Sequence, residues 1–526
     1  MRARRERRQR AAVDRLQLEH HDVVGNRPLL GDFYVKSLIF LGHFTLSLPG
    51  STGACIQTNV RIRYLSIIRL ASPGRRDGGK PMLTHEENEL LCRVEGDAPM
   101  GQLMRRHWVP ALLSEQLVES DGAPVRVRLF GEDLVAFRDT DGRIGVLGEY
   151  CPHRKASLFF GRNEECGLRC LYHGWKFDVD GKVLEMVSEP AESGFADKVQ
   201  HKAYPTHEAG GFIWVYMGPK DEMPEFEAPP WAPTPEAKVS IVKIDLPCNW
   251  AQIMEGQIDS AHSSSLHSSD MKPARVTTAG ATDTHWTRPS TDKNPRIQVQ
   301  LTNYGFRYAA LRRPIANAQT HDYVRLTVYV APFAALIPPN SSYNVATVIV
   351  PKDDVSSYFH FIAWGNDDCI DQESWRKFCV AQVGIDLDKN YKPILRNRAN
   401  NYLQDRQWMK LGNFTGVPGI PNQDIMMWES MGPIADRTSE RLGASDIAIV
   451  QFRRVMIDAA RKYAAGGPPI GLIEPHIPQA KLRSYQGIVP KGDDWRRLGA
   501  SNEEIALIEG MEQDETEAEM AAAAQS

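Results

Sequence analysis

Four side chains that could bind metal lie in one stretch of the chain, CPHRKASLFFGRNEECGLRCLYHGW. Cys151 and His153 are separated by one residue, Cys170 and His173 by two, and 16 residues lie between the pairs. Each pair adjoins a predicted β-hairpin, so two thiolates and two imidazoles can converge from two loops. Such a set suits a structural zinc or a Rieske 2Fe-2S cluster, in which two Cys hold one iron and two His the other. Because each loop supplies one Cys and one His, the order favours the Rieske cluster. Cys166 lies off this pattern.

A second group of candidate ligands follows in NWAQIMEGQIDSAHSSSLHSSD. On a helix Asp259 and His262 share a face, whereas His262 and His267, five residues apart, do so only if the helix distorts or ends. The run of serines from Ser263 to Ser265 favours such a distortion. Two His and one carboxylate form the facial triad of non-haem ferrous oxygenases, with positions open for dioxygen. This segment alone is equally compatible with two surface histidines near a helix end.

The elements that must position these side chains follow from periodicity. Residues 125–147 and 175–186 alternate polar with apolar residues around Asp-Gly turns, which predicts a small antiparallel β domain. Residues 86–94 and 100–113 show helical spacing, with a break at Pro110. Beyond residue 230, strands over 322–332 and 343–351 mix with helices, and the clearest helix begins at Ser445 as N-cap. The fold class predicted is therefore α+β.

The chain divides into four predicted parts. Residues 1–81 are expected to be a non-native or disordered N-terminal extension, with Met82 as the functional start. Residues 82–230 would hold the N-terminal helices and an antiparallel β Rieske domain. A Pro-rich stretch at 224–235 predicts a stiff linker to a C-terminal catalytic domain over 231–509, an antiparallel sheet with helices. Residues 510–526 are acidic and rich in Ala, and we expect a disordered tail.

Composition excludes several classes of protein. With 526 residues, 42% apolar and 24% charged, the chain is neither fibrous nor disordered. A net charge of -4 argues against a dedicated nucleic-acid binder. Eight cysteines are too few for a disulfide scaffold, and no stretch approaches the ~18 apolar residues of a membrane span. A soluble, cytoplasmic protein with no membrane or nucleic-acid partner is therefore expected.

The first metal segment, including Arg154 after the first His and Gly174-Trp175 after the second, resembles the Rieske domain of aromatic ring-hydroxylating oxygenases. From about Met82 to about Ala465 the chain is similar to the phthalate dioxygenase type of this family. The resemblance implies that Asp424, in FTGVPGIPNQDIMMWESMGPIADRTSERLG, completes a mononuclear Fe(II) site with His262 and His267. The nearby acids Glu429 and Asp436 are expected to be structural.

The resemblance also implies a role for Asp259. It would hydrogen-bond both an iron ligand and a Rieske histidine of a neighbouring subunit, so that electrons cross between chains. The oxygenase would be a homo-oligomer, a trimer or stacked trimers, in a head-to-tail ring.

The substrate side follows from the same resemblance. Arg325 shares a predicted strand face with Tyr323 and Tyr329, and the residues alone favour an ordinary surface or structural arginine. In the resembling oxygenases a Ser and two strand arginines hold a diacid, and the matching positions are Ser260, Arg288 and Arg325. The expected reaction is cis-dihydroxylation of phthalate with O2. Electrons would come from NADH through a separate flavin and iron-sulfur reductase, since the chain has no dinucleotide fingerprint.

Three alternatives stay open at this point. One is a Rieske oxygenase for another aryl carboxylate, such as a chlorobenzoate, isophthalate or a phenoxybenzoate. The second is a pure Rieske electron-transfer protein with an inert C-terminal domain, and the third is a zinc-stabilised binding module.

Overall fold

The computed structural model describes residues 83–281, 285–474 and 476–511, together with two short strands before them. Those strands, β1 (Ser47–Pro49) and β2 (Cys55–Gln57), pair antiparallel within a first compact unit over residues 1–79. Every other element given below belongs to a second unit, residues 80–526. Apart from these two strands, the residues of the predicted N-terminal extension lie outside the described ones. The predicted disordered tail lies outside them from residue 512 onward. A helix over 502–511 includes the first two residues of that predicted tail.

The N-terminal part of the second unit is formed by short helices and strands. They are α1 (His85–Cys92), α2 (Pro99–Met104), β3 (Trp108–Leu113), β4 (Val125–Leu129), β5 (Glu132–Arg138), β6 (Ile144–Gly148), β7 (Arg162–Glu164), β8 (Gly167–Arg169), β9 (Lys176–Phe177), β10 (Val183–Glu185), β11 (Ala203–Tyr204), β12 (Thr206–Ala209) and β13 (Phe212–Tyr216). Three antiparallel sheets result, with strand orders β12-β13-β3, β11-β6-β5-β4 and β10-β9-β8-β7. The predicted antiparallel β domain is confirmed.

The helical spacing predicted over 100–113 is wrong in its second half. Helix α2 ends at Met104, and the residues around Pro110 form strand β3 instead. The strand accommodates Pro110 because it is an edge strand of its sheet and pairs with β13 through a register shift there. Proline lacks the N–H that a sheet interior requires, and edges and bulges tolerate it.

The C-terminal part contains a larger sheet with helices around it. Its elements are β14 (Lys238–Leu246), α3 (Trp250–Ile258), β15 (Met271–Pro273), β16 (Gly280–Ala281), β17 (Trp286–Arg288), β18 (Arg296–Thr302), β19 (Gly305–Arg312), β20 (His321–Val330), β21 (Ala334–Ile337), β22 (Asn344–Asp353), β23 (Ser356–Gly365), α4 (Gln372–Phe378), α5 (Arg406–Lys410), α6 (Ile420–Ser430), α7 (Ile447–Ala464) and β24 (Tyr485–Pro490). Eight strands form one antiparallel sheet in the order β14-β23-β22-β21-β20-β19-β18, with β24 paired to β20. The α+β fold class is confirmed.

Helix α7 is the helix that the sequence indicated most clearly, although its N-cap differs. Asp446, and not Ser445, occupies the N-cap position, because a short 3-10 turn over Ala444–Asp446 precedes the helix. The helix ends before Gly466, whose φ of +88° is the left-handed conformation that a glycine adopts easily. No helix in the described ranges is both long and apolar enough to cross a membrane.

Two hydrophobic clusters form the core of the second unit. The larger extends through both parts, and the smaller lies beneath the loops of Cys151 and Cys170 and includes both cysteines. The Pro-rich stretch 224–235 contains no helix or strand. The domain boundary near residue 230 stays a prediction.

Helices α3 and α6 cross at very short range. A Cβ placed on Gly256 would lie 2.2 Å from Nε1 of Trp428, which is closer than any side chain permits. Beside this contact, the Gln252 side-chain amide donates to the carbonyls of Trp428 and Gly432, both at 2.9 Å. A residue without a side chain at 256 therefore sets the separation of the two helices.

We expect Gly256→Ala to destabilise the protein even though Ala favours helices. Relief of the clash with Trp428 requires a shift of the helices, and overpacking of this kind costs about 1–3 kcal/mol. Thermal unfolding followed by circular dichroism measures the effect. The control is Gly510→Ala, since a Cβ there meets nothing within 4 Å and its Tm should not fall. Equal Tm values for wild type and Gly256→Ala would contradict the packing argument.

Candidate active site

The end of helix α3 positions the first candidate ligands. The helix stops at Asp259, its C-cap, and a 3-10 turn over His262–Ser264 follows. Oδ1 of Asp259 accepts the backbone N–H of Ala261 at 2.7 Å, which fixes its carboxylate. Oδ2 lies 3.5 Å from Nδ1 of His262, so the carboxylate orients this imidazole with Nε2 pointing away. The α-helix thus ends before both histidines, and the 3-10 turn that begins at His262 ends before His267.

The start of helix α6 supplies a carboxylate and an amide. Pro421 stands in the first turn, where a missing N–H costs nothing, and Asp424 follows one turn later. The neighbouring Gln423 accepts a hydrogen bond from Nδ1 of His267 through Oε1 at 2.7 Å. Its Nε2 donates to the carboxylate of Asp270 at 2.7 Å and to the carbonyl of Val417 at 2.9 Å. Because Nε2 must donate to both oxygens, the amide is oriented and His267 carries its proton on Nδ1.

The three ligand atoms meet within 3.6 Å of one another. Nε2 of His262 and Nε2 of His267 are 3.1 Å apart, and Oδ1 of Asp424 lies 3.6 Å from the first and 3.1 Å from the second. Ligands at roughly 2.1 Å from a metal and at right angles to one another are about 3.0 Å apart. The separations and the donor set therefore fit one ion on a triangular face, with the opposite side open. These residues form a 2-His-1-carboxylate group.

Asp259 and His262, which follow helix α3, each stabilise the charged form of the other. Burial opposes the charge on Asp259, yet the contact with His262 and the backbone N–H groups of Ala261 and His262 lower its pKa overall. Burial likewise opposes the charge on His262, but Asp259 and Asp424 raise its pKa. Removing either partner would leave the other as a buried, unpaired group.

The first metal segment forms two matching loops. In one loop the N–H of Cys151 donates to the carbonyl of Ala156, and in the other the N–H of Cys170 donates to the carbonyl of Trp175, at 2.9 and 2.8 Å. The loops bring the rings of His153 and His173 to a centroid separation of 4.4 Å.

The four side chains differ in their exposure. Cys151 and Cys170 are buried, whereas His153 and His173 are partly exposed. Burial, with the adjacent Cys170 thiol, raises the pKa of Cys151 to about 11, and a bound metal would hold this thiol deprotonated. Nδ1 of His153 is buried with no hydrogen-bond partner in the described structure, as a free ligand atom would be. Two buried thiols and two outward imidazoles fit a cluster with a cysteine side and a histidine side.

A cavity opens on the 2-His-1-carboxylate group. Its empty volume is about 610 Å³, including its open mouth. Apolar walls come from Trp286, Phe359 and Phe361, and polar groups include Ser260 and Arg325. A lining of this kind suits a small aromatic molecule with a polar end.

Three buried arginines lie at one side of this cavity. Arg325 lines it, and the other two bind residues of its lining. Arg325 donates to Oδ1 of Asn340 at 2.6 Å and to the carbonyl of Pro338 at 2.9 Å. Arg312 donates to the carbonyl of Ser260 at 2.6 Å, and Arg288 to the carbonyl of Ser263 at 3.0 Å.

The charge of these arginines is not balanced by the described residues. Within the described residues none of the three guanidinium groups has a carboxylate at ion-pair distance. Burial and the neighbouring arginines lower the pKa of Arg288 to about 9 and that of Arg312 to about 10. The part of the cavity next to Ser260 and Ser263, which flank His262, is thus strongly cationic.

Comparison with known proteins bears on both sites. Residues 107–202 match the family model of the Rieske 2Fe-2S domain, and residues 215–518 match a model described as LigXa C-terminal domain like. The chain is 65% identical to the phthalate 4,5-dioxygenase oxygenase subunit of Pseudomonas putida, over 79% of this chain and 94% of that one. The chain belongs to the Rieske oxygenase family. The zinc module and the inert C-terminal domain are excluded as alternatives.

More distant relatives agree with this assignment. The 3-chlorobenzoate-3,4-dioxygenase oxygenase subunit of Comamonas testosteroni is 37% identical, over 79% of this chain and 97% of that one. A solved structure, Pseudomonas putida CBB5 NdmB, covers 69% of this chain and 93% of its own at 17% identity, with a TM-score of 0.50, and shares the fold. This Rieske oxygenase is the oxygenase subunit of a ring-hydroxylating dioxygenase, with a Rieske 2Fe-2S domain and a candidate mononuclear iron site.

The structure brings together most of the side chains singled out from the sequence. His262, His267 and Asp424 form one group, and Asp259 and Ser260 line the same cavity. Arg288 is not part of the cavity lining, but it donates hydrogen bonds to the hydroxyl and the carbonyl of Ser263, which is. The other two acids near Asp424 make separate contacts. Glu429 accepts a hydrogen bond from the Tyr402 hydroxyl, and Asp436 accepts one from the backbone N–H of Thr438.

Two residues of the site escaped the sequence analysis. Nothing in the sequence marks Gln423 as part of the site except its position next to Asp424. Arg312 stands next to Arg313, and only the pairing of strand β19 shows that the first is buried and the second exposed.

We expect Gln423→Ala to weaken Fe(II) binding. Without the amide, the Nδ1 proton of His267 loses its acceptor and the ring its fixed orientation, and losses of this kind cost about 10–100-fold in metal affinity. Titration of metal-depleted protein with Fe(II) measures the affinity, and the visible spectrum of the Rieske cluster should not change. Gln407→Ala, at an exposed position of helix α5, is the matched control. Unchanged affinity in Gln423→Ala would show that His267 needs no such partner.

Proposed function

We propose that this Rieske oxygenase cis-dihydroxylates phthalate in the manner of a phthalate 4,5-dioxygenase. The observation that carries the proposal is the group of three buried arginines beside the 2-His-1-carboxylate residues, for which the described part of the chain supplies no carboxylate at ion-pair distance. A buried cation without a partner is costly, so such a group is explained best by an anion that arrives with the substrate. Two adjacent ring carboxylates supply two negative charges. The name of the 65% identical relative agrees with this substrate.

The arginines would act at different depths. The guanidinium of Arg325 lines the cavity and is the one placed to contact a carboxylate. Arg312 holds Ser260 by its carbonyl, with its Nη1 3.4 Å from the Ser260 hydroxyl, so it orients a hydroxyl that can donate to the second carboxylate. Arg288 anchors Ser263 and adds positive potential. The diacid would then direct its ring toward the apolar walls and the iron ligands.

The metal sites define the remaining part of the reaction. When bound, the 2Fe-2S cluster and Fe(II) supply electron transfer and dioxygen activation. The overall change adds O2, two electrons and two protons to the ring, so that both oxygen atoms end in the diol. Two electrons of NADH balance it, delivered one at a time by a separate flavin and iron-sulfur reductase. The walls contributed by Trp286, Phe359 and Phe361 keep water from the ring.

A homotrimer, or two stacked trimers, would complete the electron route. Near the Rieske histidines the apolar side chains of Phe160, Leu171, Tyr172 and Val187 are exposed, at 63, 62, 55 and 69%. Clustered exposed apolar side chains mark a protein contact. A neighbouring subunit that covers them head to tail could place a Rieske histidine against Asp259, whose other side faces His262.

The direct test is turnover by the full-length protein, loaded with both metal centres and combined with a matching reductase and NADH. Phthalate, isophthalate and 3-chlorobenzoate are compared by oxygen uptake and by product mass under ¹⁸O2. We expect phthalate to be the best substrate and to give a diol with two labelled atoms. Preference for a monocarboxylate, or a product with one labelled atom, would favour another aryl carboxylate oxygenase.

Arg325→Ala should raise the KM for phthalate. Removing a charged hydrogen-bond donor to a carboxylate costs about 2 kcal/mol, which is roughly thirty-fold. The control is Arg296→Ala on strand β18, whose guanidinium is exposed and paired with Asp322. Steady-state kinetics with iron content and the Rieske spectrum as checks measure the change. A KM within twofold of wild type would refute the contact.

Asp259→Asn should retain both metals and lose turnover. An amide has nearly the shape of the carboxylate but cannot hold a proton-bearing imidazole on each side as an anion does, and about 10–100-fold lower activity is expected. In a single turnover, reoxidation of the reduced cluster by O2 in the presence of phthalate should slow by the same factor. Wild-type reoxidation kinetics would remove Asp259 from the electron route.

A further inference from the structure

A second cavity lies away from the iron ligands and has a different character. It lies where strands β3 and β13, the Pro-rich stretch, the turn between β20 and β21, and residues 471–474 and 476–479 meet. Its empty volume of about 1240 Å³, including the mouth, is twice that of the first cavity. Five aromatic side chains line it, namely Trp108, Trp214, Phe226, Trp231 and Phe333.

The aromatic walls are held by hydrogen bonds and by contacts between rings, such as the stacking of Trp214 on Trp231 at a centroid separation of 5.8 Å. The indole N–H groups of Trp108, Trp214 and Trp231 donate to the carbonyls of residues 224, 209 and 210, at 3.0, 2.9 and 3.2 Å. No indole donor in this wall therefore needs a ligand. Rings fixed in this way present π faces, which attract other rings and organic cations.

A buried imidazole in the wall has an unused nitrogen. His107 is 5% exposed, and its Nε2 has no hydrogen-bond partner in the described structure. The adjacent ring carbon, Cε1, faces Gly471 on the cavity wall. The nitrogen itself is covered, so a ligand in the cavity would contact the ring of His107 and not this atom.

The charge at the cavity is negative. Glu225, Glu227 and Glu474 line it, and the imidazole of His476 bridges the last two carboxylates, which raise its pKa. With His476 charged, three carboxylates and one imidazolium leave two negative charges. No Lys or Arg belongs to the described lining. An anionic substrate such as phthalate would be repelled here.

We propose that this cavity is a second binding site, for a small aromatic cation of the arylalkylammonium class. Its ring would lie among the indoles, and its ammonium group would meet the carboxylates of Glu225, Glu227 and Glu474. The proposal is independent of the phthalate assignment, because the two cavities share no lining residue and carry opposite charge.

The test titrates the full-length, metal-loaded protein with 2-phenylethylammonium by isothermal calorimetry, with neutral 2-phenylethanol as the isostere. We expect one saturable site per chain, at least fivefold tighter for the cation, that phthalate does not displace. Absence of saturable binding, equal affinity for the alcohol, or displacement by phthalate would each overturn the proposal.

Two pairs of variants locate the site. Leu472→Trp should fill the cavity and abolish binding, whereas Ile473→Trp, at the exposed neighbouring position outside the lining, should not. Glu225→Gln should weaken binding several-fold, and Glu236→Gln, on the same stretch but outside the cavity, should leave it unchanged. Both glutamates are exposed, so folding is preserved in this pair. Binding that both Leu472→Trp and Glu225→Gln leave intact would place the cation elsewhere.

Discussion

The crossing of helices α3 and α6 is the constraint on which the catalytic part of this protein depends. His262 and His267 follow one helix and Asp424 belongs to the other, so three ligand atoms can lie within 3.6 Å only if the helices approach closely. Gly256 permits that approach. Polar contacts then remove the remaining freedom, because Gln423 orients His267 and Asp259 orients His262. The metal site is therefore set by packing and hydrogen bonds of the chain itself.

The Rieske part positions its metal ligands in a different way. Its ligands come from two short loops over a separate small core that includes both cysteines. The core buries the thiolate side of the cluster, and the imidazole side reaches the surface. A cluster at a surface can exchange electrons with other proteins, whereas the iron cavity must exclude water. The two requirements explain why the sites are built on different sheets.

Local patterns predicted the parts of the structure that local interactions determine. The Asp141-Gly142 turn and the alternation around it fixed the β domain, and Gly142 has the expected φ of +80°. Long-range facts were different. Asp424 could be assigned only through family resemblance, because its partners lie more than 150 residues away. The helical prediction was wrong at Trp108–Leu113 on either side of the break at Pro110, because the pairing of strand β3 with β13 leaves no local signal. The burial of Arg312 likewise depends on strand pairing.

The three arginines at the cavity can be compared with a second group of buried charges in the same domain. Glu255 on helix α3 binds both Arg437 and Arg453 at 2.8 Å, and Glu440 also pairs with Arg453. Burial opposes the charge on Glu255, yet these arginines lower its pKa, so the group is neutralised internally. The charges that Glu255 brings together within helix α3 are thus paired, while among the described residues the arginines just beyond the C-terminal end of this helix have no carboxylate at ion-pair distance. Since buried structural arginines such as Arg437 and Arg453 have acids as partners, the proposal that substrate carboxylates meet the cavity arginines accounts for the difference between the two groups.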